Sequence, residues 1–445
     1  MSESERVIIA GAGWAGMAAA LELDRHNIPV TVLESAPRLG GRARTVVLDD
    51  TLLDNGQHLL IGAYHETLRV LALMGLKEQE VLHREPLHLE VLGHQGSFSI
   101  SASKLPAPLH LVWGLLSARG ITPADKLHAL RMSLSLALKG YRLEQDISVA
   151  ALLDRHRQGS ALVRSFWQPL CLATLNTPLH QASATVFLRV LQDSFSHAHR
   201  DSDLLIPRVP LGKLFCESAA GVLERKPHNR LCLRTRVTGV AQENGMLSAQ
   251  IGDAETHTGG DLILATSPAA ASRLLAPLPQ SAAQAQASAI AELGVQPIAT
   301  VYLYYPDAPA LSFPMLGLDG TVSQWIFDRR ICNQHGWYAV VISAEGEHCQ
   351  WDKEQLAREV QQELGEILPH WPATADKNVV IREKRATFEC RVDIESLRPD
   401  NTTAVDGLWL AGDYTATGYP ATLEGAVRSG VQCARRIIDR RNNRT

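Results

Sequence analysis

The chain is expected to be an α/β protein, with a parallel sheet at its centre and a second domain of mixed sheet and helical cap threaded through it. Three stretches carry that expectation. Val7 to Ala10 is a short, wholly apolar run of the kind buried on both faces of a parallel sheet. It passes through Gly11, Gly13 and Gly16 into an apolar-faced helix and then a second run, Val30 to Leu33. Gly259 to Pro268 holds another apolar run that ends in a small-residue turn, and Leu262 to Ala265 reads as a strand. Leu408 to Ala411 supplies another strand near the far end, followed by Gly412, Asp413 and a closing helix. A sheet is thus assembled from distant parts of 445 residues, a length that suggests two intertwined domains.

The first stretch has a readable chemistry. Gly11 makes the tight turn, Gly13 lets the backbone approach a pyrophosphate, and Gly16 packs helix against strand. Trp14 and Ala15 open the helix, whose N-terminus offers amide donors and positive dipole to phosphates. Glu34, followed by Ser35, ends the second strand where a carboxylate can accept from a ribose 2′-hydroxyl. A 2′-phosphate would be repelled there. A Rossmann-type site for an adenosine diphosphate unit, and not for NADP, is expected.

Composition narrows the class. Lys and Arg number 43 against 47 Asp and Glu, and the net charge of −4 argues against a nucleic-acid partner. Hydrophobic content of 45% and charged content of 20% describe a globular chain. Seven scattered cysteines without a C-x-x-C suit a reducing compartment. The start lacks a basic region and an apolar leader core, and no run of about 18 apolar residues appears. A cytoplasmic location is expected, with association at the inner face of a membrane through residues 105–120.

Along the chain, Tyr64 to Ser194 reads as mostly helical, with Leu68, Leu71, Ala72 and Leu76 on one face and a further run from Lys126 to Leu138. Leu105 to Gly120 is apolar, carries Trp113 and is flanked by Lys104, Arg119, Lys126 and Arg131. It has two readings, a segment dipping into a lipid interface or a buried core helix. His197, His199, Asp201 and Asp203 have a metal-like spacing, yet no second ligand set accompanies them, and a solvated loop is expected instead of a metal site. Leu214 to Leu223 reads as a helix and Arg230 to Val240 as a strand pair. Ala269 to Leu293 is mostly helical; Ala299 to Tyr305, Gln324 to Asp328 and Trp337 to Ser343 read as strands of a second sheet, and Asp352 to Leu368 as an amphipathic helix.

Gly40-Gly41-Arg42-Ala43-Arg44-Thr45 resembles the GGR-x-x-T extension of FAD enzymes of the amine oxidase and carotenoid desaturase superfamily. A paired glycine lets backbone pass close to a cofactor, and Arg42 or Arg44 can fork onto a diphosphate. The C-terminal stretch, LWLAGDYTATGYPATLEGAVRSG, is very similar to that of plant-type phytoene and zeta-carotene desaturases. The resemblance implies a glutathione-reductase-like FAD domain made of residues 1–62, 204–268 and 376–445, with the substrate domain at 63–203 and 269–375. It places Asp54, Gly56, Gln57 and His58 beside the flavin ring, Val237 against adenine, and Thr266 at the carboxyl end of a sheet strand. Gly412 and Asp413 would meet the ribityl chain, while Thr422, Leu423 and Gly425 open a helix aimed at the flavin. Leu172 to Leu188 is similar to the helical cap of the desaturases. No cysteine lies between Gly412 and Gly430, which implies non-covalent FAD.

Thr422 stands where amine oxidases carry a cage tyrosine, which argues against an amine substrate. By its length, its cap and the Arg385 to Phe388 run, the chain most resembles bacterial hydroxysqualene dehydroxylases. That implies reductive replacement of a hydroxyl by hydrogen on a long-chain isoprenoid, within squalene and hopanoid synthesis. Candidates for the acid are His58, Asp54, Tyr419 and Glu424, in that order, and the electron donor is left open. A polyisoprenoid desaturase, an amine or protoporphyrinogen-type oxidase, and a non-enzymatic FAD-binding escort remain alternatives.

Overall fold

The computed structural model describes residues 5–48, 51–252 and 255–443. The outer bounds of the expected FAD segments, residues 1–4 and 444–445, lie outside them. Five parallel strands form the central sheet in the order Arg230–Cys232, Val30–Leu33, Val7–Ala10, Asp261–Leu264 and Leu408–Leu410. The three middle strands are buried throughout, which is why their sequences are apolar runs with no alternation. Ala10, Leu33 and Leu264 are level in register, so the glycine turn, Glu34 and Thr266 emerge together at the carboxyl ends of the middle strands.

The first helix, Trp14–Arg25, packs against the last, Leu423–Asn442. Gly430 makes this closeness possible, because a Cβ there would sit 2.0 Å from the Ala15 carbonyl oxygen. Asp261 anchors the far end of the last helix through Arg440 and Arg441, each at 2.7 Å.

A second, seven-stranded sheet runs in the order Lys377–Thr387, Gln296–Tyr304, Trp337–Ser343, Trp325–Asp328, Met315–Asp319, His88–Gly93 and Gly96–Ser101. One expectation is corrected here. The region from Tyr64 to Ser194 is not mostly helical at its start, since Leu82–Glu85 and the hairpin His88–Gly93 with Gly96–Ser101 are strands. In that hairpin Phe98 and Ile100 are buried between serines, a period of two that outweighs the leucine content. The long strand Lys377–Thr387, expected within the FAD segment that starts at 376, pairs with Gln296–Tyr304 in this second sheet.

Arg230 to Val240 is likewise not a strand pair. After Cys232 the backbone of Arg234 and Thr235 bonds to the Ala36 and Glu34 carbonyls (3.1 and 2.8 Å), and Gly239–Glu243 starts a separate antiparallel sheet. Helices Pro123–Leu138, Val149–Arg155, Gln168–Leu175 and Ala184–Phe195 form the cap. Residues 105–120 hold the helix Leu109–Ser117, which is not a buried core helix: Leu109, Trp113 and Leu116 are 54%, 57% and 49% exposed. Among the described residues, no helix is long and apolar enough to cross a membrane.

Because the contact at Gly430 is with backbone, Gly430→Ala is expected to destabilise the fold by about 1–3 kcal/mol. A thermal unfolding midpoint equal to that of the parent would contradict this packing.

Candidate active site

A cavity of about 1180 Å³ opens where the carboxyl ends of the central strands face the second sheet. Gly11, Gly13, Trp14, Ala15, Glu34, Ser35, Gly40, Gly41, Arg42, Gly56, Gln57, His58, Val237, Thr266, Gly412, Asp413, Tyr419, Thr422 and Leu423 all line it. Gly16 and Gly425 do not. A Cβ at Gly16 would meet the Gly11 carbonyl at 2.0 Å, so that glycine serves helix–strand packing, and the Gly425 amide donates to Thr422 Oγ1 (3.1 Å) as part of a helix cap.

The nucleotide end fits a dinucleotide. Gly11 has φ +110° and lies under Ala265, whereas a Cβ at Gly13 would meet nothing within 4 Å, leaving space above a helix N-terminus for a pyrophosphate. Glu34 is buried and accepts one backbone amide on each oxygen, from Ala12 and Ala36, both at 2.8 Å. Oε1 also accepts from Ser35 Oγ (3.2 Å), so it is Oε2 that keeps a further lone pair for a ribose hydroxyl. Trp14 is fixed by stacking on Phe215 at 4.3 Å and by donating to the Ala43 carbonyl.

Arg42 does not stand free for a diphosphate. Its Nη2 pairs with Asp413 Oδ1 at 2.6 Å and its Nη1 donates to the Ala386 carbonyl at 2.6 Å. Burial opposes the guanidinium charge, but Asp413 outweighs it and holds Arg42 more firmly protonated than usual. Arg44 donates to the Gly41 carbonyl at 2.6 Å and stabilises the glycine turn.

Of the four acid candidates, the structure turns two away from the cavity. Asp54 is buried and accepts from the Leu211 amide (2.9 Å) and Thr45 Oγ1 (3.3 Å), with Arg329 at 3.6 Å. Glu424 accepts from the Thr67 amide and hydroxyl (2.9 and 2.7 Å), the Glu66 amide (3.1 Å) and Arg428 Nε (2.6 Å). It therefore caps the helix His65–Leu73 from across the fold. Both carboxylates are structural. His58 lines the cavity, with Nδ1 3.0 Å from the Gly56 carbonyl. A carbonyl only accepts, so Nδ1 carries the proton and Nε2 is the acceptor. Burial pulls the imidazole pKa below its ordinary value, against the opposing effects of that bond and of Asp54. His58 is then neutral near pH 7 and poorly suited to deliver a proton.

Tyr419 lines the cavity and donates to Asp193, a residue the sequence reading missed. Arg428 and Arg189 lie over the phenol ring at 4.3 and 5.2 Å. Burial, with the Asp193 bond, pushes the phenol up to about 12. Arg329 was also missed: it is buried, bonds Gln57 and Gln334, and sits over Tyr302. No local signal marks either one, because Asp193 and Arg329 meet their partners across 226 and 272 residues. The same cavity is also lined by the apolar side chains Phe166, Leu170, Val190, Phe195, Trp325 and Phe327. Asn176, in the turn before the cap helix, has φ 50° and ties the cap to the sheet through Thr387 Oγ1 and the Ala344 amide.

A glycine-lined cradle at a helix N-terminus, opening into a cavity with many apolar side chains, is a geometry suited to a dinucleotide cofactor. The family model for flavin containing amine oxidoreductases matches residues 14–438, and the chain belongs to that family. It is a flavin-dependent oxidoreductase. Hydroxysqualene dehydroxylase of Zymomonas mobilis is 27% identical over 96% of this chain and 97% of its own length. A probable zeta-carotene desaturase of Synechococcus elongatus is 22% identical over 98% of each chain. Among solved structures, a putative protoporphyrinogen oxidase from Exiguobacterium sp. 255-15 shares the fold with TM-score 0.72, at 19% identity over 98% of this chain and 99% of that one.

The lowered pKa of His58 has a direct readout. Nitrogen-15 NMR of histidine-labelled protein is expected to show a neutral, Nδ1-protonated ring at pH 7, charging only below the ordinary histidine range of about 6.5. An imidazolium signal at pH 7 would contradict the assigned tautomer.

Proposed function

We propose that the chain is an FAD-dependent enzyme that removes the hydroxyl of hydroxysqualene reductively to give squalene, with FAD held non-covalently. Glu34 and the open space above Gly13 support the adenosine and pyrophosphate positions. Among the described residues no cysteine lines the cavity, which supports non-covalent binding. The observation that carries the reading is the Tyr419–Asp193 pair, which lines the same cavity as the glycine cradle and the apolar side chains.

Tyr419, neutral at working pH, turns its O–H from Asp193 to the allylic oxygen and passes the proton in step with C–O cleavage, because the departing hydroxide is more basic than the phenolate, and water is released. Arg428 and Arg189 over the ring steady the phenolate that results, and Asp193 orients the hydroxyl beforehand. The proton leaves with the hydroxyl as water, and reduced flavin, when bound, would supply the hydride that takes the hydroxyl's place on carbon. The apolar wall keeps water from recapturing the allylic cation. His58 Nε2 and Asp413, both in the cavity lining, would serve as polar contacts for the cofactor when it is bound. A substrate of this kind dissolves in lipid, so the protein works peripherally at the inner face of a membrane. The likeness to a carotenoid desaturase supports a second reading, the same site run in the oxidative direction.

Anaerobic reduction with dithionite followed by hydroxysqualene in detergent decides between them. Flavin reoxidation with stoichiometric squalene is expected, and Tyr419→Phe should slow it about 100-fold at unchanged flavin content. No reoxidation, with bleaching of the oxidised protein by a polyene hydrocarbon, would establish the desaturase instead.

A further inference from the structure

Seven of the twelve exposed large hydrophobic side chains among the described residues fall between Leu105 and Leu138, too dense a concentration for ordinary surface scatter. They form two stripes on neighbouring helices. Leu109, Trp113 and Leu116 follow helical spacing on Leu109–Ser117, and Leu127, Leu134 and Leu138 do so on Pro123–Leu138. The opposite faces of both helices are accounted for. Gly114 lies against the backbone of Ser101, where a Cβ would come within 2.8 Å of the carbonyl, and Ala129, Met132 and Leu136 enter the core that holds Phe98 and Ile100. Lys126 Nζ donates to the Leu116 carbonyl at 2.7 Å and locks the two helices together.

The surroundings of the stripes are basic. Lys104, Arg119 and Arg131 are exposed, and none makes an ion pair among the described residues. Asp125 is the single acidic residue between Lys104 and Lys139, and it is buried as the partner of Thr122 in a helix cap.

We propose that this helix pair is a docking surface for an anionic lipid bilayer. Its purpose rests on the reading of a membrane-dissolved isoprenoid; its geometry does not. Leucine and tryptophan enter the acyl boundary while the rim of lysine and arginine meets lipid phosphates. A second copy of the chain is a poorer occupant, because a symmetric contact would set the same uncompensated cations against each other. The surface is also connected to the site. Leu111, on the inner side of the first helix, packs in one cluster with Leu87, Leu89 and Phe195, which line the cavity. Leu111 thus belongs both to the docking helix and to the cluster that helps wall the cavity.

The test uses the flavin-loaded protein and sucrose-loaded vesicles of phosphatidylcholine, alone or with about one third phosphatidylglycerol. Sedimentation with the anionic vesicles is expected, falling as salt is raised. Trp113→Ser and Leu134→Ser should each weaken partitioning by about tenfold, and Arg131→Glu should erase the preference for the anionic lipid. Brominated acyl chains should quench tryptophan emission in the parent and much less in Trp113→Phe. Absence of vesicle binding, equal binding by parent and variants, or a solution dimer broken by the same substitutions would overturn the proposal. All these variants should turn over detergent-dispersed substrate like the parent. Vesicle binding without hydroxysqualene turnover keeps the surface and discards the functional reading, and turnover without vesicle binding does the reverse.

Discussion

The ion pair between Arg42 and Asp413, with the donation from Arg42 to the Ala386 carbonyl, is the contact on which the site depends. It joins three parts of the chain that have no local reason to meet: the glycine turn after the first strands, the loop before the last helix, and the long edge strand of the second sheet. Asp413 is buried and Arg42 faces the cavity with about a third of its side chain, so neither charge is well hydrated. A charge-assisted bond of this kind contributes about 1.5–3 kcal/mol, and losing one partner leaves the other exposed to the full cost of burial. Asp54, Arg329 and Gln57 form a second brace of the same sort. Flavin binding and the seam between domains are therefore one structural problem.

What the sequence made legible was what short-range physics specifies. Gly11, Gly13, Gly16 and Glu34 act within one βαβ unit, and their roles follow from backbone freedom and a fixed distance along the chain. The chamber's chemistry was harder to read. Asp54 and Glu424 have the right residue type in the right neighbourhood, yet their orientation is set by Leu211 and by Thr67, each far away in sequence. Arg42 looked like a phosphate ligand because its partner lies 371 residues on. The hairpin at 88–101 was hidden by leucines that suit a helix as well as a strand, until its pairing with Met315–Asp319 supplied the deciding contacts.

These placements give a division of labour. Local glycine chemistry makes a dinucleotide cradle, long-range ion pairs hold it against the second sheet, and cap helices enclose an apolar chamber. At the junction the cavity sets a neutral imidazole and a protonated phenol near one another in function but with opposite capacities: His58 accepts and Tyr419 donates. The apolar helix pair outside the chamber then accounts for a surface that would otherwise cost solubility.

The most direct measurement is a double-mutant cycle on flavin affinity with Arg42→Ala, Asp413→Ala and the double variant. If the pair closes the cleft, the double variant should bind flavin no more weakly than the worse single one, with a coupling of about 1.5 kcal/mol or more. Strictly additive losses would show that the two residues act independently and that the seam is held by something else.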